Sequence, residues 1–314
     1  MGEFGKIGFL GKLRPSQIAS SNIIQKQIES GEKNLYIVAP PGSGKTVLGL
    51  YTWSDLVRQP TLVLCPNSAI QAQWIARAKE LFNLDGKDNQ IGTDTESPGL
   101  LTSLTYQSIT LPKRGDKNLD DSAIELWMNQ LLLENEVDDP DSSMVWINGL
   151  KESNFIYYNE RLSYYRKKIR DNLVLHGNAM QVLHESSKKN LEKLSNLNIG
   201  LIILDECHHL LGHWGRVLSE IRKYFGNPIV LGLTATPPDL NSVNIKDGKR
   251  YREFFGEIDY EVPVPALVRN SNLSPYQDLA YFVRPTRDEL IYISNVDKDF
   301  EDLIYDISNG VSKS

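Results

Sequence analysis

Five short apolar runs punctuate the chain: Leu35–Ala39, Thr61–Cys65, Gly99–Thr102, Gly200–Asp205 and Pro228–Leu233. The strongest are rich in Ile, Val and Leu and do not alternate apolar with polar residues. Such runs predict strands buried on both faces, as in a parallel sheet. Amphipathic stretches lie between them, notably Ala69 to Phe82 and Val217 to Phe225, and these predict helices. The outcome is a βαβ series with helices on both faces, an α/β fold with a mainly parallel sheet sandwiched by helices.

One region interrupts the series. From Pro112 to Asn198 there is no convincing buried strand. Asp121 and Ser122 are placed to cap a helix to about Glu134, with Ile124, Trp127, Met128 and Leu131 on one face. An acidic turn, Glu134 to Asp141, follows. Two longer helical stretches then run from about Asn159 to Leu175 and from Ala179 to Leu197. The expected organisation is a core domain of residues 1–111 and 199–268, a helical insertion of 112–198, and an extension of 269–314.

Chemistry enters at the ends of the apolar runs. Ala39-Pro-Pro-Gly-Ser-Gly-Lys-Thr46 follows one predicted strand and precedes a helix-forming run. Small residues there let backbone N–H groups face phosphate oxygens, and the helix adds its positive N-terminal end. Pro41, Gly42, Ser43 and Gly44 would form the cradle of a P-loop. Lys45 would reach the β- and γ-phosphates of ATP, and the Thr46 hydroxyl would ligate Mg²⁺. Asp205-Glu-Cys-His208 directly follows Leu201–Leu204, so two carboxylates sit at the end of a strand. Asp205 is the candidate second Mg²⁺ ligand, and Glu206 the group that orients and activates the attacking water. Leu233-Thr-Ala-Thr-Pro237 closes another strand. The hydroxyls of Thr234 and Thr236 are candidates for sensing the γ-phosphate together with the Asp-Glu segment.

A Lys-Thr P-loop, a D-E-x-H box and a T-A-T in this order resemble the superfamily 2 helicases, and the chain is similar to their first RecA-like motor domain. That resemblance implies further roles. Leu13-Arg-Pro-Ser-Gln17 resembles the L-R-x-x-Q element, making Gln17 and Arg14 candidates for contacting adenine; a side-chain amide can donate to and accept from one base edge. His208 would couple the ATP site to Thr234 and Thr236. Cys65 to Trp74 resembles motif Ia, with Asn67 and Ser68 opening a helix whose N–H groups can bind a sugar–phosphate backbone. Thr105-Tyr-Gln-Ser108 resembles motif Ib, giving Tyr106 and Gln107 a similar role. Val262 to Tyr276 resembles the segment after T-A-T-P in xeroderma group B-type and type III restriction helicase subunits, which points to double-stranded DNA. The resemblance covers roughly 13–111 and 199–290 and leaves the insertion unexplained.

Composition bounds these expectations. The net charge is −6, so any nucleic-acid contact must be local. Two cysteines make no disulfide framework and suit a reducing cytosol, with the nucleus as the second option for a eukaryotic protein. No apolar run approaches the roughly 20 residues needed to cross a bilayer, so no membrane partner is expected. Superfamily 2 motors place ATP between two RecA-like domains, and the second supplies arginines. Neither a second sheet nor a Q-x-x-G-R-x-x-R motif is found, so that domain is expected in cis on a longer motor or in trans from another chain. A nucleotide-switched nucleic-acid-binding module remains the rival class. A P-loop kinase is disfavoured by the T-A-T and the lack of an arginine-rich lid.

Two clusters stay open. Cys207, His208, His209 and His213 are dense, but consecutive residues on one turn rarely supply a tetrahedral zinc site. Tyr157-Tyr158, Tyr164-Tyr165 and Arg166 to Arg170 read either as an aromatic core face with a solvated basic face or as a nucleic-acid contact.

Overall fold

The computed structural model describes residues 4–112, 117–134, 136–175, 179–240, 243, 245–275, 283–292 and 294–295. In chain order the elements are β1 (Gly8–Phe9), α1 (Pro15–Glu29), β2 (Asn34–Val38), α2 (Lys45–Tyr51), β3 (Thr61–Cys65), α3 (Ser68–Leu81), β4 (Phe82–Asn83), β5 (Ile91–Gly92), β6 (Leu101–Thr105) and α4 (Tyr106–Thr110). Then follow α5 (Lys117–Leu133), α6 (Pro140–Ser153), α7 (Phe155–Leu175), α8 (Ala179–Val182), α9 (Glu185–Ser195), β7 (Leu201–Asp205), α10 (His213–Tyr224), β8 (Ile229–Thr234), α11 (Ile245–Phe255), β9 (Tyr260–Glu261) and α12 (Val264–Arg269). The chain divides into two compact units, Met1–Leu273 and Ser274–Ser314. Tyr276 and most of the predicted extension lie outside the described residues.

Seven strands form one sheet in the order β5-β6-β3-β7-β8-β2-β9, and every pairing in it is parallel. The central strands are buried on both faces, which is why their sequences show no alternation. Two apolar layers result. One face carries Ile37, Val63, Ile203 and Leu233 against α1, α2 and α3, with Trp53 and Trp74 fully buried. The opposite face carries Leu62, Leu64, Ile202 and Leu204 against α4, α9, α10 and α11. The α/β sandwich read from the sequence is the fold observed.

Several local expectations change. The third run becomes β6 two residues later than Gly99, because Leu101 to Thr105 pair in register with Thr61 to Cys65. The edge strands β5 and β9 are too short to leave a pattern. The acidic turn ends in a helix: Asp139 caps α6, its side chain accepting from Ser142 N at 2.8 Å, with Pro140 at the first helical position. The stretch from Ala179 to Leu197 is two helices, α8 and α9, rather than one. Val182, Leu183, Leu191 and Leu194 join the sheet's apolar layer. A separate core belongs to α5–α7 alone, built on Trp127, Ile147, Tyr158, Leu162 and Tyr165.

Candidate nucleotide site

The P-loop leaves β2 and enters α2 through two left-handed glycines, Gly42 (φ 78°) and Gly44 (φ 89°). A side chain at either would be strained, and at Gly44 a Cβ would lie 2.3 Å from Gln17 Nε2. Lys45 Nζ donates to Ala39 O at 3.2 Å and lies 3.4 Å from Glu206 Oε1. Because β2 and β7 are both parallel strands of one sheet, their C-terminal ends bring Lys45, Thr46, Asp205 and Glu206 to a single cleft of about 510 Å³. Arg14, Gly42, Gln73 and Arg77 also line it.

Asp205 is 6% exposed. Its Oδ2 accepts from Trp74 Nε1 at 2.7 Å and its Oδ1 from Glu206 N at 3.0 Å. Burial raises its pKa, and the Trp74 hydrogen bond opposes that rise. Glu206 itself stands at φ 51°, ψ 49°, a left-handed conformation uncommon for a residue with a side chain. Such strain persists only where the surroundings enforce it, and it concentrates at functional positions.

His208 Nδ1 is 2.8 Å from Thr234 Oγ1 and 3.4 Å from Glu206 Oε2. Burial, reinforced by His209, lowers its pKa below the ordinary 6.5. A neutral ring can accept the Thr234 hydroxyl proton. Thr234 Oγ1 in turn accepts from Thr236 N at 3.2 Å. His208 Nδ1 thus serves one partner at a time: unprotonated it accepts from Thr234, and only when protonated does it donate to Glu206. The other members of the Cys/His cluster diverge. The Tyr251 hydroxyl donates to the buried Cys207 Sγ, and His213 Nε2 bonds to Thr110 O at 3.1 Å.

The remaining sequence candidates fall differently. Gln17 does not line the cleft. Its Oε1 accepts from Arg14 N at 2.9 Å and its Nε2 donates to Gly44 O at 3.2 Å, so in this structure it braces the P-loop. Arg14 lines the cleft and donates to Gly42 O at 2.9 Å. Asn67 and Ser68 are exposed at the start of α3, where Asn67 Oδ1 accepts from Ile70 N at 3.0 Å. Gln107 is exposed. Tyr106 corrects the sequence expectation: it is fully buried, stacks on Trp214 at 5.2 Å, and donates its hydroxyl to Asp205 O at 2.8 Å. A ring in that position has no surface to offer a nucleic acid. Sequence reasoning takes Trp74 only as the end of the motif Ia stretch and misses its contact with Asp205. Its one signal is an inward position on α3 with Ile75 and Ala78.

The donor set fits a magnesium nucleotide. The Thr46 hydroxyl and the Asp205 carboxylate are hard oxygen ligands, of the kind that hold Mg²⁺ beside phosphates. Ser43 Oγ is buried in the P-loop with no hydrogen-bond partner among the described residues. It lines a small pocket with Ser16, Gln17 and Ser20 rather than the cleft, so the fit rests on Lys45, Thr46 and Asp205.

The family model for the type III restriction enzyme, res subunit (ResIII), matches residues 10–239. The chain belongs to this family. It carries the first RecA-like domain of a superfamily 2 helicase, as the order of its motifs implies. No curated protein sequence matches the chain. Matching solved structures include the crystal structure of the Pyrococcus furiosus Hef helicase domain, at 18% identity and a TM-score of 0.38. That match covers 76% of this ResIII chain and 36% of the other, so the chain spans about a third of that structure's length. No helix among the described residues is long and apolar enough to cross a membrane.

Proposed function

We propose that the domain is the ATP-binding half of a superfamily 2 motor that translocates on double-stranded DNA, with the opposing half supplied by a second RecA-like domain in cis or in trans. The observation that carries the reading is the convergence of Lys45, Thr46, Asp205 and Glu206 on one cleft, with His208 Nδ1 within reach of both Glu206 and Thr234. Lys45 would exchange its ion pair with Glu206 for the nucleotide phosphates. That exchange frees Glu206 to hold a water for attack on the γ-phosphate. Mg²⁺ held by Thr46 and Asp205 would neutralise phosphate charge. The His208–Thr234 contact would report whether the γ-phosphate is present. Arg14 would lie near the base, while Gln17 keeps Gly44 in place. Exposed Asn67, Ser68 and Gln107 would meet the DNA backbone.

The single domain should bind ATP–Mg²⁺ and hydrolyse it slowly, because a second domain's arginines can be worth roughly 10³–10⁵ in rate. Lys45→Ala should weaken nucleotide binding by roughly 10–100-fold, the worth of one hydrogen-bonded charge. Glu206→Gln should bind ATP but not turn it over. Equal nucleotide affinity for wild type and the Lys45 variant, read by fluorescence titration, would contradict the assignment. Fast DNA-stimulated hydrolysis by these 314 residues alone would remove the need for the second domain.

A further inference from the structure

Two segments that the sequence marks as nucleic-acid contacts grip the same residue of the ATP site. The helix α3, opened by Asn67 and Ser68, reaches Asp205 through the Trp74 indole, which donates to Oδ2 at 2.7 Å. The helix α4, which carries Gln107, reaches Asp205 through the Tyr106 hydroxyl, which donates to its main-chain oxygen at 2.8 Å. Trp74 and Tyr106 are fully buried. Trp74 stands near the middle of α3, 131 residues from its partner.

The segments are also tied to each other. Gln71, one turn before Trp74, donates to Ser103 O at 2.8 Å and accepts from Ser103 Oγ at 3.1 Å through its main chain. Ser103 belongs to β6, the strand that runs into α4. A displacement at the exposed start of α3 therefore has a rigid route to the carboxylate: through the helix, through Trp74, to Oδ2. Close packing transmits such shifts rather than absorbing them.

We infer that Trp74 and Tyr106 are positioning residues that couple nucleic-acid binding at the start of α3 to the placement of Asp205, the candidate magnesium ligand. Trp74 sets the carboxylate and Tyr106 sets the peptide that carries it. Neither touches nucleotide or nucleic acid. The inference rests on the motor reading above, in particular on Asn67 and Ser68 as backbone contacts.

Coupling between two ligands is reciprocal and can be read from binding alone. The affinity of a short fluorescent DNA duplex is measured with and without a non-hydrolysable ATP analogue and Mg²⁺. Wild type should show a linkage of at least about fivefold, the low end of ordinary allosteric coupling. Trp74→Phe and Tyr106→Phe should each bring that ratio to within about twofold of one while both ligands still bind. Trp53→Phe is the control. Trp53 is equally buried, and its indole donates to Leu100 O at 3.0 Å, away from Asp205. That variant loses a buried indole hydrogen bond and should keep the wild-type linkage. A Trp74→Phe protein that does not fold leaves the answer with Tyr106→Phe, which removes one oxygen atom. Wild-type linkage in the Tyr106 or Trp74 variant overturns the inference alone, as does a wild type that binds both ligands independently. A wild type that binds neither ligand overturns the motor reading and this inference with it.

Discussion

The sheet domain and the three-helix region both bury tryptophans, and the burial does different work in each. The sheet layers bury Trp53 and Trp74, and each indole N–H is paired, one to Leu100 O and one to Asp205. The three-helix core of α5–α7 buries Trp127 among Tyr158, Tyr165 and Ile147, and its indole N–H has no partner among the described residues. In the sheet domain, apolar burial serves to fix polar groups at strand ends. In the insertion, burial joins three helices and holds no comparable polar constellation among the described residues. The regions meet through both kinds of contact: Arg216 of α10 pairs with Asp171 of α7 at 2.9 Å, and Leu173 of α7 packs on the sheet's apolar layer. The lesson is that a second core can be grafted between two strands without disturbing the ends that carry chemistry.

The largest expected effect tests that independence. Trp127→Ala removes the centre of the insertion core and should destabilise it by roughly 3–5 kcal/mol, as large-to-small aromatic truncations do. Denaturant unfolding should show an early transition, while ATP–Mg²⁺ affinity stays within about twofold of wild type. Loss of nucleotide binding together with the insertion would show that the two cores fold as one.

A smaller effect separates the regions by pH. His213 opens α10 in the sheet domain, and its Nε2 meets Thr110 O at 3.1 Å. Burial lowers its pKa below the ordinary 6.5. The unfolded chain therefore takes up the proton first as pH falls. The stability contribution is complete above pH 6.5 and is lost as pH drops through the lower folded value. His213→Gln keeps a donor for Thr110 O and removes the titration. The variant's melting temperature should fall less than that of wild type over the same acid range; equal slopes would reject the assignment.

How much of the molecule is legible in its sequence follows the same division. The site is legible because each motif is contiguous and stands at the end of an unbroken apolar run: Lys45 and Thr46 after β2, Asp205 and Glu206 after β7, Thr234 ending β8. Parallel pairing then brings those ends together without further instruction. Contacts between distant segments are not legible. Nothing local marks Trp74 as the partner of Asp205, or Tyr106 as buried rather than presented to DNA. The L-R-x-x-Q resemblance aims Gln17 at a base, whereas the left-handed Gly44 exposes a carbonyl that its amide can reach. In the insertion the helix α6 is hidden because Asp139, its cap, sits inside a run of acidic residues that reads as a turn. The helix α9 falls with the insertion on sequence grounds because no strand separates it from α7; only the packing of Leu191 and Leu194 on the sheet layer reveals its place.

The smallest expected effect concerns the basic stretch of α7, which the structure splits in two. Tyr158 and Tyr165 are buried in the three-helix core, and Arg166 is held by Asp120 at 2.5 Å. Tyr157 and Tyr164 are 39% and 53% exposed, and Lys167 and Lys168 are exposed beside them. The two readings of this stretch therefore apply to different residues: the inward tyrosines are core, and only the outward face is available to a polyanion. Charge reversal at Lys167 and Lys168 leaves Arg166 and the core untouched. It should weaken duplex DNA binding by roughly 3–10-fold at low salt and make the logarithmic salt dependence shallower by about 1–2 units, one for each phosphate no longer neutralised. Reversal at Lys249 and Arg252 on α11, both exposed and paired to Glu253 and Glu257 at 3.8 and 4.0 Å, changes net charge equally and serves as the comparison. Equal losses from both pairs would make the effect one of overall charge. A loss confined to α7 would assign the outer face of the insertion to the DNA, and affinity unchanged by either would leave that face simply solvated.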